Sequence, residues 1–305
     1  MPDRMPLILR PYFGVLRLFG GPGLMMTTLM LTTFVGCAPV DVLNATISTR
    51  DLTITRDIAY GEKPRQRLDV YVPKNAAPNA PVIVFFYGGA WQDGDKKDFL
   101  FVAQALAGTG AIVVVPNYRT YPEVTYPGFL DDGAAATAWT VRNIAQYGGD
   151  PKTIFLSGHS SGAYIAIMLV LDRDYLAKAG VGDLKLAGGI GISGPYDFLP
   201  ITRKDIKPIF EVVPDMDLTQ VIHYARADSP PLLLLHGETD TTVGPYHTHN
   251  LANKMRALGG QVEDRYYPGV DHIDAIIALT SMFRGRAPVL ADIKAFIDKT
   301  RAGQR

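Results

Sequence analysis

Short runs of consecutive apolar residues alternate along the chain with longer stretches whose apolar positions recur every three or four residues. Val82-Ile83-Val84-Phe85-Phe86 is unbroken, as in a strand buried on both faces. Ile112–Val115, Thr153–Leu156, Leu186–Ile192 and Leu232–Leu235 read the same way, and Val262–Tyr267 reads as a late strand. Leu68–Val72 alternates as an exposed edge strand would. Between them lie helical patterns at Phe99–Ala107, Gly128–Tyr147, Ser161–Tyr175, Pro245–Leu258 and Ile273–Phe283, with a last one from about Ala287 to Lys299. Strands and helices in alternation predict an α/β class: a mostly parallel sheet flanked by helices on both faces.

Two segments break this rhythm. Residues 195–231 are rich in Pro, Asp and scattered large apolar residues such as Phe198, Ile206 and Phe210. They leave one strand's C-terminal end and return to the next strand, the edge where open α/β sheets bind ligands. A long surface crossover is one reading, and a short lid over a pocket is the preferred one. At the other extreme, Arg4, Arg10 and Arg17 precede an apolar stretch from Leu24 to Val35, followed by Gly36-Cys37. That stretch is too short to span a bilayer as a helix. The expected division is therefore a removable signal at 1–36, a polar tether at 37–50 and a main α/β domain at 51–305.

Composition narrows the function classes. The 305 residues hold equal numbers of basic and acidic side chains and no basic block, so nucleic acid is not an expected partner. An apolar content of 47% supplies a sizeable core. Cys37 is the only cysteine, which excludes an internal disulfide.

The chemistry concentrates at Gly158-His159-Ser160-Ser161-Gly162, between an apolar run and a small-residue helix start. Strand, sharp turn and helix with a serine at the apex is the context that gives this pentapeptide meaning. Ser160 would stand exposed above the sheet, poised for attack on a carbonyl. Such a serine needs a base and an orienting carboxylate, in the chain order serine, acid, histidine. Of the later histidines, His272 follows a late strand and precedes a helix, where the base should be. His236 ends an apolar run and reads as a core-edge residue bonded to backbone. His223 falls in the lid. His247 and His249 read as solvent-facing, not as metal ligands. Asp240, after the Leu232–Leu235 strand, is the expected acid, with Glu238 its nearest rival and Asp271 and Asp274 poorly placed. Gly88 and Gly89 follow Val82–Phe86 and would offer backbone N–H groups to an oxyanion, with Ser161 N–H as the second donor. The expected pocket wall is Trp91, His159, Phe198 and Phe210.

Taken together, these residues resemble an α/β-hydrolase of the branch that includes hormone-sensitive-lipase-like esterases, kynurenine formamidases and prenylcysteine methylesterase-like proteins. The resemblance runs from about Leu68 to the C-terminus. It rests on Leu68-Asp69-Val70-Tyr71-Val72-Pro73, Gly88-Gly89-Ala90-Trp91, Asn117-Tyr118-Arg119, Gly148-Gly149-Asp150-Pro151, the Ser160 turn, Ile192-Ser193-Gly194-Pro195-Tyr196-Asp197, Asp240 and His272. One departure is Tyr87, where these families usually carry a histidine before the paired glycines. The resemblance implies hydrolysis of small or short-acyl esters through an acyl-enzyme, with no metal or organic cofactor. The alternatives are an amidase, formamidase or peptidase on the same triad, or an inactive ligand-binding surface lipoprotein. The N-terminus resembles a bacterial lipoprotein signal, which implies lipidation of Cys37 and a membrane partner through that anchor. The expected location is then the cell envelope facing the periplasm, with a soluble periplasmic or secreted form as the alternative.

Overall fold

Residues 39–303 are described by the computed structural model. Eight strands form their central sheet: β1 (Leu52–Ala59), β2 (Arg67–Pro73), β3 (Ala80–Phe86), β4 (Ile112–Pro116), β5 (Gly149–His159), β6 (Gly188–Ile192), β7 (Leu232–Gly237) and β8 (Val262–Tyr267). Their spatial order is β1-β2-β4-β3-β5-β6-β7-β8. Pairing is antiparallel from β1 through β2 to β4 and parallel from there to β8. Among the described residues nine helices accompany it: α1 (Pro39–Ala45), α2 (Leu100–Ala107), α3 (Gly128–Asn143), α4 (Ser161–Leu171), α5 (Arg173–Lys178), α6 (Lys207–Phe210), α7 (Tyr246–Ala257), α8 (His272–Ile277) and α9 (Val289–Gly303). This is the mostly parallel α/β sheet anticipated from the apolar runs, and it has the α/β-hydrolase fold that the resemblance implied. β3, β4, β6 and β7 are buried along their whole length, as continuous apolar strands must be when helices cover both faces.

Four expectations change. First, β2 is not an edge strand, because β1 covers it. Its alternation is misleading because the polar Asp69 is fully buried, not solvated. The Asp69 carboxylate takes Lys96 Nζ at 2.7 Å, the Asp57 N–H at 2.9 Å and the Tyr71 hydroxyl at 3.2 Å. A buried charge is tolerable only when it is paired in this way. Second, the helix read through Tyr175 breaks at Asp172, which turns extended and caps α5 by accepting from the Asp174 N–H. Third, the helix expected to reach Phe283 stops at Ile277. Fourth, the segment read as a tether is docked on the body over its described part. The Asn44 amide donates to Asp98 O at 3.0 Å and its oxygen accepts from the Phe101 N–H at 3.1 Å, satisfying the free end of α2. Val40, Leu43 and Ile47 pack on the core.

The lid segment is also fastened to the body. The Tyr126 hydroxyl donates to Leu218 O, and the Tyr164 hydroxyl donates to Thr219 O, each at 2.7 Å. Phe198 N–H donates to Gln220 Oε1 at 2.7 Å. α6 and two short 3₁₀ turns lie within it.

Candidate active site

The parallel strands deliver the candidate residues to one edge. Phe86 of β3 pairs with Gly158 of β5, and His159 of β5 pairs with Ile192 of β6. Gly237 of β7 pairs with Tyr267 of β8. The loops carrying Gly88, Ser160, Asp240 and His272 therefore all leave the C-terminal ends of neighbouring strands, where α/β sheets place their ligands.

Ser160 sits at φ 54° and ψ −125°, a conformation that costs energy for any residue but glycine. The glycines on either side make the turn possible by close approach. A Cβ at Gly162 would fall 2.0 Å from Phe86 O, and one at Gly158 would fall 2.2 Å from Gly162 O. The Ser160 N–H donates to Ile192 O at 2.9 Å, which fastens the strained turn to β6. α4 then begins at Ser161 and is buried throughout.

His272 Nδ1 lies 2.7 Å from Asp240 Oδ2. The other carboxylate oxygen accepts from the N–H groups of Thr242 and Val243, both at 2.9 Å. Burial pushes the Asp240 carboxyl up, but the hydrogen bonds from His236 and His272 outweigh it and hold the group well below the usual carboxylate range. Glu238, the rival acid, is exposed. Asp271 caps α8 through the Ile273 and Asp274 N–H groups, and Asp274 pairs with Arg286. The structure thus joins His272 to Asp240 and to no rival. Ser160 and His272 meet across the same cavity, and no hydrogen bond joins them in this conformation among the described residues. Catalytic contacts in unliganded sites often tighten only around substrate.

His159 lies behind His272. Its Nε2 is 3.0 Å from His272 O, and because a carbonyl only accepts, Nε2 carries the proton. Burial depresses its pKa to about 3, so the ring is neutral.

Gly88, Gly89 and Ser161 line the cavity together with Ala90. A Cβ at Gly88 would stand 3.0 Å from Ser160 Cβ, so this backbone runs directly beside the serine. Tyr87 replaces the usual histidine without loosening the loop. Its ring stacks between Phe99 and Tyr118 at 5.1 and 4.8 Å. Its hydroxyl donates to Asn117 Oδ1 at 2.8 Å and accepts from Arg65 Nη2 at 3.0 Å. Arg65 also donates to Gly94 O at 2.8 Å, and Asn117 Oδ1 accepts the Lys96 N–H at 2.6 Å. Both ends of the 87–96 loop are held by this network.

The cavity measures about 810 Å³. Trp91, His159 and Phe198 line it as expected. Phe210 does not. It is fully buried one layer behind, 4.8 Å from Trp91 and 5.1 Å from Phe198 between ring centroids. A second, polar part of the lining comprises Asp197, Thr241, Thr242, Tyr246 and Asn250. His247 also belongs to it and is buried, which corrects its reading as solvent-facing. Its Nδ1 accepts from the Asp197 N–H at 3.2 Å, and burial lowers its pKa to about 4. His249 is exposed and stacks on Tyr266, and His223 is exposed in the lid. His236 is buried and bonded to backbone as expected, but it also reaches Asp240 at 3.3 Å. The i, i+4 spacing across the strand end was the available signal for that contact. Among the described residues no group of three or more His, Cys, Asp or Glu side chains is arranged to hold a metal ion.

A sheet of this order with a strained serine between strand and helix defines an α/β-hydrolase. The model of the BD-FAE family matches residues 68–255, and the chain belongs to that esterase-type family of serine hydrolases. It is 30% identical over 251 residues to a probable isoprenylcysteine alpha-carbonyl methylesterase of Arabidopsis thaliana, covering 73% of this chain and 52% of the relative. It is 30% identical over 233 residues to a probable carboxylic ester hydrolase of Mycobacterium tuberculosis, covering 70% of this chain and 54% of that protein. The chain thus spans about half the length of these relatives. An inhibited esterase B from Lactobacillus rhamnosis superposes with a TM-score of 0.72 at 18% identity, covering 84% of this chain and 89% of that one.

Proposed function

We propose that this chain hydrolyses carboxylic esters with Ser160 as nucleophile, His272 as general base and acid, and Asp240 as the orienting carboxylate. The observation that carries the reading is the buried Asp240–His272 pair opening onto the same cavity as the strained serine. His272 Nε2 takes the Ser160 proton while Oγ bonds to the ester carbon. The carbonyl oxygen becomes an oxyanion facing the Gly88–Gly89 backbone and the Ser161 N–H, where one well-placed donor is worth about 3 kcal/mol. The bond to the alcohol then breaks, and His272 returns the proton to the leaving oxygen. Water, deprotonated by His272, repeats the sequence on the acyl-enzyme and frees the acid. A fluorophosphonate probe tests the reading, with covalent labelling at Ser160 as the expected result and an unlabelled, folded protein as the result that removes it.

The aromatic wall limits the acyl chain. Trp91 and Phe198 stand with ring centroids 6.1 Å apart, and Phe210 and Tyr164 fill the space behind them. Acetyl to butyryl p-nitrophenyl esters are therefore expected to turn over faster than octanoyl esters. Phe198→Ala should shift the optimum toward longer chains. Faster octanoyl than butyryl turnover by the unaltered enzyme would remove the proposed limit.

Envelope anchoring through Cys37 is also proposed, from the signal-like sequence before it. Cys37 lies outside the described residues, and among those described no helix is long and apolar enough to cross a membrane. Each buried CH₂ adds about 0.8 kcal/mol, so several acyl chains hold a protein on a bilayer where one is marginal. With residues 40–47 docked on the body, a lipid on Cys37 would hold the catalytic domain close to the bilayer. The mass of the mature N-terminus checks this: a lipidated cysteine is expected, released from membranes by Cys37→Ser. A soluble product cut elsewhere would leave an ordinary export signal.

A further inference from the structure

We infer that His236 is a positioning residue for the acid of the triad: it presents a ring N–H to the Asp240 oxygen that also receives His272, setting the aim of the carboxylate and the basicity of the base. This rests on the triad reading and goes one layer behind it. His236 ends the apolar run of β7 and is fully buried. Its Nε2 lies 2.8 Å from Val243 O and 3.3 Å from Asp240 Oδ2. A carbonyl and a carboxylate only accept, so Nε2 carries the proton. Nδ1 lies 2.8 Å from Thr248 Oγ1, where a neutral ring accepts and the hydroxyl donates. Val243 O, which can only accept, selects this tautomer, and the Thr248 hydroxyl in the first turns of α7 rotates to match it.

The arrangement closes a small circuit. The Nε2–H group bonds Val243 O while the same nitrogen stands 3.3 Å from Asp240 Oδ2, so the acid loop is fastened to the strand that launches it. With Thr242 and Val243 on Oδ1, and His272 and His236 on Oδ2, the carboxylate is held from four directions. The other titratable groups facing this cluster are His159 beside the serine, His247 on α7, Asp197 beside His247, and Asp271, whose carboxylate caps α8. Burial keeps His159 and His247 neutral, so neither ring adds a positive charge beside Asp240, which both His272 and His236 approach.

The sign of the effect follows. A donor on Oδ2 draws negative charge away from His272. Without it, Asp240 stabilises the imidazolium more strongly, and the acid limb of kcat/KM moves to higher pH. The freed carboxylate also aims the base less well. A histidine that only supports the fold would change melting temperature and the fraction of active molecules, but not this limb.

The experiment compares wild type, His236→Leu and His236→Gln, each titrated for active sites with a fluorophosphonate. For His236→Leu, kcat per active site is expected to fall about 10- to 100-fold, the size of loss that a misplaced catalytic group causes, with KM little changed. Its acid limb should move upward. The Gln amide carries an N–H at the position of Nε2, and His236→Gln should restore the limb and most of kcat. An unshifted limb and unchanged kcat per site in His236→Leu would overturn the proposal. A second readout does not depend on any variant folding. Nitrogen NMR of wild-type protein labelled in histidine should show His236 protonated at Nε2 and not at Nδ1, and the opposite tautomer would overturn the proposal. Failure of wild type to label would count against the Ser160 reading instead, and the tautomer would still decide the role of His236.

Discussion

Ser160→Ala is expected to abolish both ester turnover and fluorophosphonate labelling while leaving the melting temperature nearly unchanged. The two halves of this expectation have different causes. Turnover falls by at least about 10⁴-fold because the acyl-enzyme cannot form, and the remaining members of a triad do not act alone. Stability survives because the Ser160 hydroxyl makes no hydrogen bond among the described residues, so its removal orphans nothing, and such changes stay within about 0.5 kcal/mol. The backbone strain at φ 54° is the same for alanine as for serine. The neighbouring serines offer no substitute: Ser157 and Ser161 are both buried. Activity within tenfold of wild type, measured on p-nitrophenyl acetate, would place the nucleophile elsewhere.

Asp240→Asn and His272→Ala should each cost about 10⁴-fold in turnover, with Asp240→Asn somewhat the milder. Asparagine keeps an oxygen for the Thr242 and Val243 N–H groups, so the loop holds. What changes is the face toward His272: an amide N–H₂ there favours the wrong ring tautomer, and the imidazolium loses its counter-charge. Glu238→Gln should be silent, because Glu238 is exposed. A damaging Glu238→Gln beside a silent Asp240→Asn would reverse the assignment. The same pair sets a pH dependence of stability. The folded-state pKa of Asp240 is depressed, so its stabilisation is present above the unfolded value near 3.8 and is lost as pH falls through the folded value. The stability gap between wild type and Asp240→Asn should therefore be widest at neutral pH and close only in strong acid, which denaturant titrations at several pH values would measure.

Much of this molecule is local in origin. Unbroken apolar runs specify doubly covered strands because nothing else buries five consecutive apolar side chains in extended chain. The spacing of Gly158 and Gly162 about Ser160 specifies the strained turn, since any larger residue would collide with backbone. The positions of Asp240 and His272 after successive strands follow from the same alternation. The sequence by itself therefore determined strands β2 to β8, the serine turn and the three residues proposed as the triad.

Other features were settled only by tertiary packing. β1 went unread because an outer strand with one polar face, Thr53, Thr55 and Arg56 among its residues, has little apolar signature. The polar position of Asp69 imitated exposure, and only the arrival of Lys96 from a distant loop makes its burial possible. His247 is covered because α7 turns that face onto the lid segment, and Phe210 leaves the cavity wall because Trp91 and Phe198 stand in front of it. The proposed acid Asp240 is buried whereas Glu238, two residues earlier in the same loop, is exposed, a difference that packing alone makes. In each case one residue's environment is supplied by groups far away in sequence, and no local pattern encodes which of them will arrive.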